Sequence, residues 1–294
     1  MDQLLGAVLN GLTSGSIIFM FAAGLTVVFG VAGILNFAHG GVFMISAYAA
    51  ASVLQRSPGS DFSYVYAVLV AVLVAVVLSV VLELVVIRRF YQYQHEYMLL
   101  GTYALLLVLE GGAEVTFGVE AYFAPMPGWA SGGFTIGAVF VNWYMVMVML
   151  LGAVVASGLI LWLRRTSSGK VIKAAAIEPE ASRSLGINVP LVLTLVFALG
   201  GALAGLAGVV LAPNQAIDLS LGSTFVVQAF AVVVVGGLGS ISGAYVAALV
   251  LSLADSLWFT YLPGVPQVAL YLVMVLILVF RPEGLFSVRR VTTA

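Results

Sequence analysis

The chain has 294 residues, of which 63% are hydrophobic and 8% charged, with a formal net charge of −1, two histidines and no cysteine; its mean hydropathy is +1.18. Soluble globular domains carry roughly a quarter charged residues, so this chain is not one of them. The charge balance excludes a nucleic-acid binder that neutralises phosphates, and the lack of thiols excludes disulfides, thiolate metal sites and cysteine nucleophiles.

Apolar runs of about 20 residues, long enough for a ~30 Å hydrocarbon core, recur along the chain. They are continuous, as in 65–87, and do not alternate over segments of about ten residues, so a β-barrel is excluded. Spans in lipid must then be helices that satisfy their own backbone. The sequence predicts an all-α polytopic integral membrane protein of about eight or nine transmembrane or re-entrant helices, forming a single transmembrane domain over 1–294. The predicted segments are 7–33, a glycine-interrupted 41–54, 64–87, 97–117, 143–163, 191–211, 225–235, 240–261 and 267–280. The first ten residues lack the basic region of a signal peptide, and the first apolar run exceeds a signal core, so the first span is expected to be retained.

Charge orients these segments. The stretch 163–189 holds five of the eleven basic residues, Arg164, Arg165, Lys170, Lys173 and Arg183. With that loop cytoplasmic, alternation brings Arg88, Arg89, Arg281, Arg289 and Arg290 to the same side and leaves Arg56 alone outside, as the positive-inside bias requires. The N-terminus is then extracytoplasmic and the C-terminus cytoplasmic; merging two short segments into a re-entrant unit would change that count. The long extracytoplasmic loop is 118–142, with Pro125, Pro127 and five glycines making turns. Tyr122, Phe123, Trp129, Trp143 and Tyr144 suit a headgroup belt, or else a rim for an extracytoplasmic partner.

Glycine and small polar residues interrupt two apolar runs, at 30–41 and 236–243. Amides freed at membrane depth must face protein or a water-filled cavity, and in transporters such breaks border the substrate path. Asn36, His39, Gly40, Gly41, Gly236 and Gly237 are therefore candidate pathway residues; the other reading is an ordinary turn at the membrane surface. Gly239, Gly243 and Ala247, and likewise Gly201 and Gly205, have the i, i+4 spacing of closely packed helices.

Few polar groups interrupt the spans. His39 reads as a proton relay or ligand, or else as a group that holds the glycine-rich bend by bonding to backbone. Glu83, one turn before Arg88 and Arg89, reads as a paired anchor reaching the interface. Glu110 and Glu114 share one helical face and could bind a cation, take up protons or line an aqueous vestibule. Asp255 lies well inside its span and should face a cavity or a partner. Asn214, Gln215 and Asp218 read as a solvated loop beyond Pro213. There is no HExxH, GxSxG or phosphate-binding glycine loop, so no catalytic residue, metal site or nucleotide site is expected in this chain.

Within 163–189, Pro179 fits the first position of a new helix. Glu178 and Glu180 sit at its positive end and Arg183 in its last turn. Gly186 can take the left-handed position that ends it. This predicts a surface helix of about two turns at 179–185, preceded by an amphipathic approach over 170–177; the alternative is an ordinary charged loop. The run AAAIEPEASRSLGIN resembles the coupling loop of ABC importer permeases, with Glu180, Ala181, Ser182 and Gly186 in the family spacing, although the downstream Ile-x-Leu-Pro is missing. The segments GLTVVFG (24–30), LNFAHG (35–40), SLGIN (184–188), VGGLGS (235–240) and RPEGL (281–285) resemble the shorter kind of branched-chain amino acid permease.

The resemblance implies a permease subunit, not an enzyme, in a bacterial or archaeal inner membrane. It would move branched-chain or hydrophobic amino acids, or a related small polar solute such as urea or an amide, inward by alternating access. Partners implied are a second related permease, two cytoplasmic ATPases that carry ATP-Mg, and an extracytoplasmic binding protein. Glu178, Pro179, Glu180, Ala181, Arg183 and Gly186 would dock the ATPase. Glu110 and Glu114 depart from the neutral side chains expected there. The rival reading is an ion-coupled secondary transporter using Glu110, Glu114, Asp255 or His39.

Overall fold

A computed structural model of the chain describes residues 1–56, 61–265 and 268–286. It begins with α1 (Asp2–Ala32), α2 (Ala38–Arg56) and α3 (Asp61–Leu82); α3 continues through a π turn (Glu83–Ile87) into a last turn, α4 (Arg88–Phe90). Then come α5 (His95–Phe117), a hairpin of β1 (Gly133–Ile136) and β2 (Val139–Asn142), α6 (Trp143–Arg165), α7 (Ser167–Ile177) and α8 (Pro179–Ser184). The chain closes with α9 (Val189–Leu211), α10 (Leu221–Gly236), α11 (Ile241–Tyr261) and α12 (Ala269–Phe280). Each expected segment contains a helix; Gln267 at the expected start of the last one, and Arg289 and Arg290, lie outside the described residues. Among the described residues six helices are long and apolar enough to cross a membrane: α1, α3 with its extension, α5, α6, α9 and α11. The chain is an all-α polytopic membrane protein.

Its centre is α1, whose later turns are apolar on nearly every face and therefore suited to an enclosed position. Every residue from 15 to 28 is buried, surrounded by α6, α9, α10 and α11. Lipid tails are as apolar as leucine, so helix association in a bilayer depends on close packing and not on hydrophobic burial. The predicted Gly201 and Gly205 face shows this: a Cβ there would lie 2.6 Å from Ser79 Oγ and 2.8 Å from Ala71 O of α3, respectively.

At one end of the bundle, 118–142 is more ordered than an irregular loop. β1 and β2 pair antiparallel from Gly133 opposite Asn142 to Ile136 opposite Val139. Asn142 then caps α6, its Oδ1 accepting from Met145 N at 2.7 Å. Of the five aromatics expected at the headgroups, Tyr144 is instead a core residue and Tyr122 is half-buried against the core. Tyr144 is fully buried and donates to Val210 O at 2.8 Å, with its oxygen 3.0 Å from Tyr64 OH. Tyr122 pairs in backbone register with Ile217 and packs edge-on against Tyr48 and Phe117. Phe123, Trp129 and Trp143 remain exposed.

Glu83 is the clearest departure from expectation. It does pair with Arg88, but it does not reach the interface: it is fully buried. Arg88 grips it through two nitrogens at 2.9 and 3.0 Å. Thr194 of α9 donates to it at 2.9 Å, and Tyr91 at 3.4 Å. Burial, then the Glu83 carboxylate, push the Tyr91 phenol above its ordinary range. The π turn explains the orientation, because one extra residue in the turn re-aims the helix face there. Breaking a buried ion pair by removing one partner costs about 3–5 kcal/mol. Arg88 is itself 38% exposed, so Arg88→Ala, which leaves the carboxylate only Thr194 and Tyr91, is expected to lower stability to denaturant in detergent by less than the ~3 kcal/mol of a fully buried pair, and Arg88→Lys by less still.

Candidate functional site

At the end of the bundle opposite the hairpin, α7 and α8 lie across the helix termini. Thr166 caps α7 by accepting from Gly169 N at 3.1 Å, so the helix begins at Ser167, earlier than the predicted approach. Ile172 and Ala175 bury one face of α7 while Lys170 and Lys173 stay exposed. Pro179 occupies the first turn of α8. At its other end Gly186 has φ +83°; its N–H donates to Arg183 O at 2.9 Å, and Ile187 N–H donates to Ser182 O at 3.0 Å. That pair of bonds is the Schellman ending, which glycine makes without strain. Asn188 then caps α9, accepting from Leu191 N at 3.2 Å. Glu178, Pro179, Glu180, Ala181, Arg183 and Gly186 are all exposed, and Ser182 alone in α8 is buried. Ile177 and Leu185, which flank it, are 77% and 82% exposed.

The two glycine-rich interruptions meet at this same end. Between α1 and α2 the chain leaves helix only over 33–37, so His39, Gly40 and Gly41 lie inside α2 and do not break it. Their reason is proximity: a Cβ at Gly40 would strike Gly222 O of α10, and one at Gly41 would meet Leu109. His39 is buried, stacks on Phe21 at 4.9 Å, and its Nε2 lies 3.3 Å from Phe21 O. It ties α2 to α1, and not to its own bend. Gly24 makes room for it, since a Cβ there would lie 2.8 Å from both His39 Nε2 and Gly200 O. Asn36 is buried with Oδ1 lacking a partner among the described residues.

The second interruption, between α10 and α11, runs from Gly237 to Ser240, which caps α11 by accepting from Gly243 N at 3.1 Å. Gly239 comes within 3.4 Å of the Cβ position of Gly30. The C-terminal segment closes over it: Leu285 N donates to Val235 O at 2.7 Å and Phe286 N to Gly236 O at 3.2 Å. Segments 24–30, 35–40, 184–188, 235–240 and 281–285 therefore converge on one end of the bundle.

Towards the hairpin end is a polar cavity of about 470 Å³ that the sequence did not reveal as a unit. Asn10, Thr13 and Ser14 of α1, Asn214, Gln215 and Asp218 after α9, Gln228 of α10 and Asp255 of α11 line it. Asp255 thus faces a cavity, as its depth in the span requires, and the loop of Asn214, Gln215 and Asp218, exposed as expected, forms part of the wall. Gln228 and Thr13 carried no recognisable signal, being single polar residues in apolar helices. Glu110 and Glu114 stand elsewhere, on α5: Glu110 is half-buried and Glu114 exposed. Of Glu110, Glu114, Asp255 and His39, Asp255 alone lines this cavity, and no cluster that could hold a metal ion occurs among the described residues.

Close packing at the His39 junction is open to direct measurement. Overpacking a tight contact costs about 1–3 kcal/mol, whereas alanine in place of an unconstrained helical glycine gains about 1 kcal/mol. Gly24→Ala is expected to lower the detergent melting temperature; Gly6→Ala, where nothing lies within 4 Å of the Cβ position, is expected to leave it unchanged or raise it.

A family model described as branched-chain amino acid transport system, permease component, matches residues 7–280. The chain is 28% identical over 288 residues to the high-affinity branched-chain amino acid transport system permease protein BraD of Pseudomonas aeruginosa, covering 95% of this chain and 94% of that one. It is 27% identical over 290 residues to the corresponding permease protein LivH of Escherichia coli, covering 95% and 94%. Over 149 residues it is 31% identical to the permease protein LivM of Escherichia coli, covering 50% of this chain and 35% of that one. No solved structure matches. The chain belongs to the permease-component family of branched-chain amino acid transport systems.

Proposed function

We propose that this chain is one permease subunit of an ATP-driven importer of branched-chain or similar amino acids, and that α8 is the helix through which cytoplasmic ATPases act on it. The observation that carries the reading is the exposure of α8. A six-residue helix with both ends capped by backbone or proline presents Glu180 and Arg183 to solvent, flanked by exposed Ile177 and Leu185, and none of the described residues covers them. Two apolar side chains flanking two opposite charges form the kind of patch that marks a protein contact. Arg164, Arg165, Lys170 and Lys173 around it are also exposed, and their accumulation supports a cytoplasmic α8 end by the positive-inside bias. The N-terminus is then extracytoplasmic and the C-terminus cytoplasmic.

The similarity to both LivH and LivM supports pairing with a second, related permease. We place that partner against α5, where Leu100, Val108 and Val115 are exposed beside Glu114. A carboxylate on a spanning helix favours a protein or water-filled surrounding over lipid. Asn36, His39, Gly40, Gly41, Gly236 and Gly237 act, in this scheme, at the joints that let helices pivot. The nucleotide and the outer binding protein belong to other chains. The four groups of the ion-coupled reading are not brought together: only Asp255 lines the polar cavity, and no metal-holding cluster occurs among the described residues.

Double charge reversal, Glu180→Lys with Arg183→Glu, is expected to abolish co-purification of the ATPases while the chain still inserts and melts normally. Retention of the complex would refute the docking role. Uptake by the assembled transporter is expected to persist when ion gradients are dissipated and to stop when ATP is withdrawn.

A further inference from the structure

The polar cavity near the hairpin end carries a charge with nothing to answer it. Asp255 lines it, and one of its carboxylate oxygens is buried without a hydrogen-bond partner among the described residues. No lysine, arginine or histidine lines the cavity. The other wall is solvent-exposed, with Asn10, Ser14, Asn214, Gln215 and Asp218 open to water. The Asp218 carboxylate accepts from Ser220 N at 2.8 Å and Ser220 Oγ at 2.7 Å at the start of α10, where the helix dipole favours negative charge. Asn214 donates to Val210 O, and Thr13 to Leu9 O.

A second, independent group points into the same space. Gln228 lines the cavity while only 7% exposed, and no hydrogen bond engages its amide among the described residues. Along α11 the pattern continues: Ser252 Oγ, Asp255 Oδ1 and Trp258 Nε1, each three residues from the next, are all buried and unpartnered. Buried polar groups in native proteins are almost always hydrogen-bonded; of these three only Asp255 lines the cavity, and its free oxygen marks a place there that something else completes. The buried, uncompensated capacity is one anionic acceptor, with an amide in the same lining, and its complement is a compact monovalent cation.

We propose that this cavity is an uptake subsite in which Asp255 receives the primary ammonium group of the transported solute, with Gln228 as its neutral neighbour. This rests on the reading of the chain as an amino acid permease and adds to it a determinant of specificity. Asp255 selects solutes that carry an amine over neutral ones of similar size. Without an ammonium group the carboxylate would keep its desolvation cost, whereas a paired charge offsets it. A free sodium ion has the same charge and is the competing occupant.

The absence of cysteine from the chain allows a clean test. Thr224 lines the cavity, so Thr224→Cys places a single thiol in its wall. In the full-length chain in nanodiscs, its modification rate is measured with a cationic and an anionic methanethiosulfonate reagent. The cationic reagent is expected to react at least about threefold faster, as a local negative potential concentrates cations. Asp255→Asn is expected to cut that preference by more than half, and Asp255→Glu to preserve it. Methylammonium chloride is expected to slow the cationic reagent in the Asp255 protein, and not in Asp255→Asn, when sodium chloride at equal ionic strength does not.

Equal rates for the two reagents, a thiol that neither reaches, or a preference unchanged in Asp255→Asn would overturn the proposal. Equal protection by sodium chloride would overturn the ammonium assignment and give the site to a free cation. The assay needs no ATPase, and ATPase co-purification is scored separately on Asp255→Asn, so failure here and failure of the docking role are distinguishable.

Discussion

The bundle depends on how closely the backbone of α1 is approached by its neighbours. In lipid there is no solvent to drive helices together, and contact area must be gained by letting main chains come near each other. At Gly24 this requirement is most severe, because α9 brings the Gly200 carbonyl to the place a side chain would occupy, and α2 brings the His39 ring. The ring is then buried against Phe21 with one nitrogen near a helical carbonyl. A polar group in such a place is tolerable only with a partner. The glycine and the histidine are two halves of one arrangement that joins α1, α2 and α9.

From that junction the two ends of the molecule differ in kind. At the α8 end, chemistry is spent on stopping and turning helices. Gly186, Asn188, Ser240 and the backbone of 284–286 each satisfy groups that a helix end leaves open. At the hairpin end, helix termini are knitted by β1–β2, the Tyr122–Ile217 bridge and the buried Tyr144, and polar side chains remain for a cavity. The middle is almost wholly apolar, which leaves packing as its only specific interaction.

Most of the fold was legible because a spanning helix announces itself by composition. The long runs needed only length and apolarity, and α8 was readable from Pro179 and Gly186, whose effects act within two or three residues. What escaped was long-range. Glu83 meets Thr194 across 111 positions, and Ser256 donates to Ala7 O across 249; no local pattern encodes either. Gly40 and Gly41 resembled a break because glycine disfavours helix, yet the neighbouring backbone of α10 and the Leu109 side chain made small residues necessary within one. The hairpin was hidden because its strands are four residues each, too short for alternation to register. The cavity is assembled from side chains of α1, the segment after α9, α10 and α11, which no local pattern groups together.

The connection from α8 to α9 has a mechanical meaning. Between Ser184 and Val189 every turn of chain is claimed, by the two bonds around Gly186 and by the Asn188 cap. Such a joint has no slack. A push on α8 is delivered to α9 as the motion of one stiff crank, and the Glu83–Arg88–Thr194 clasp, lying one turn along α9, hands that motion on to α3.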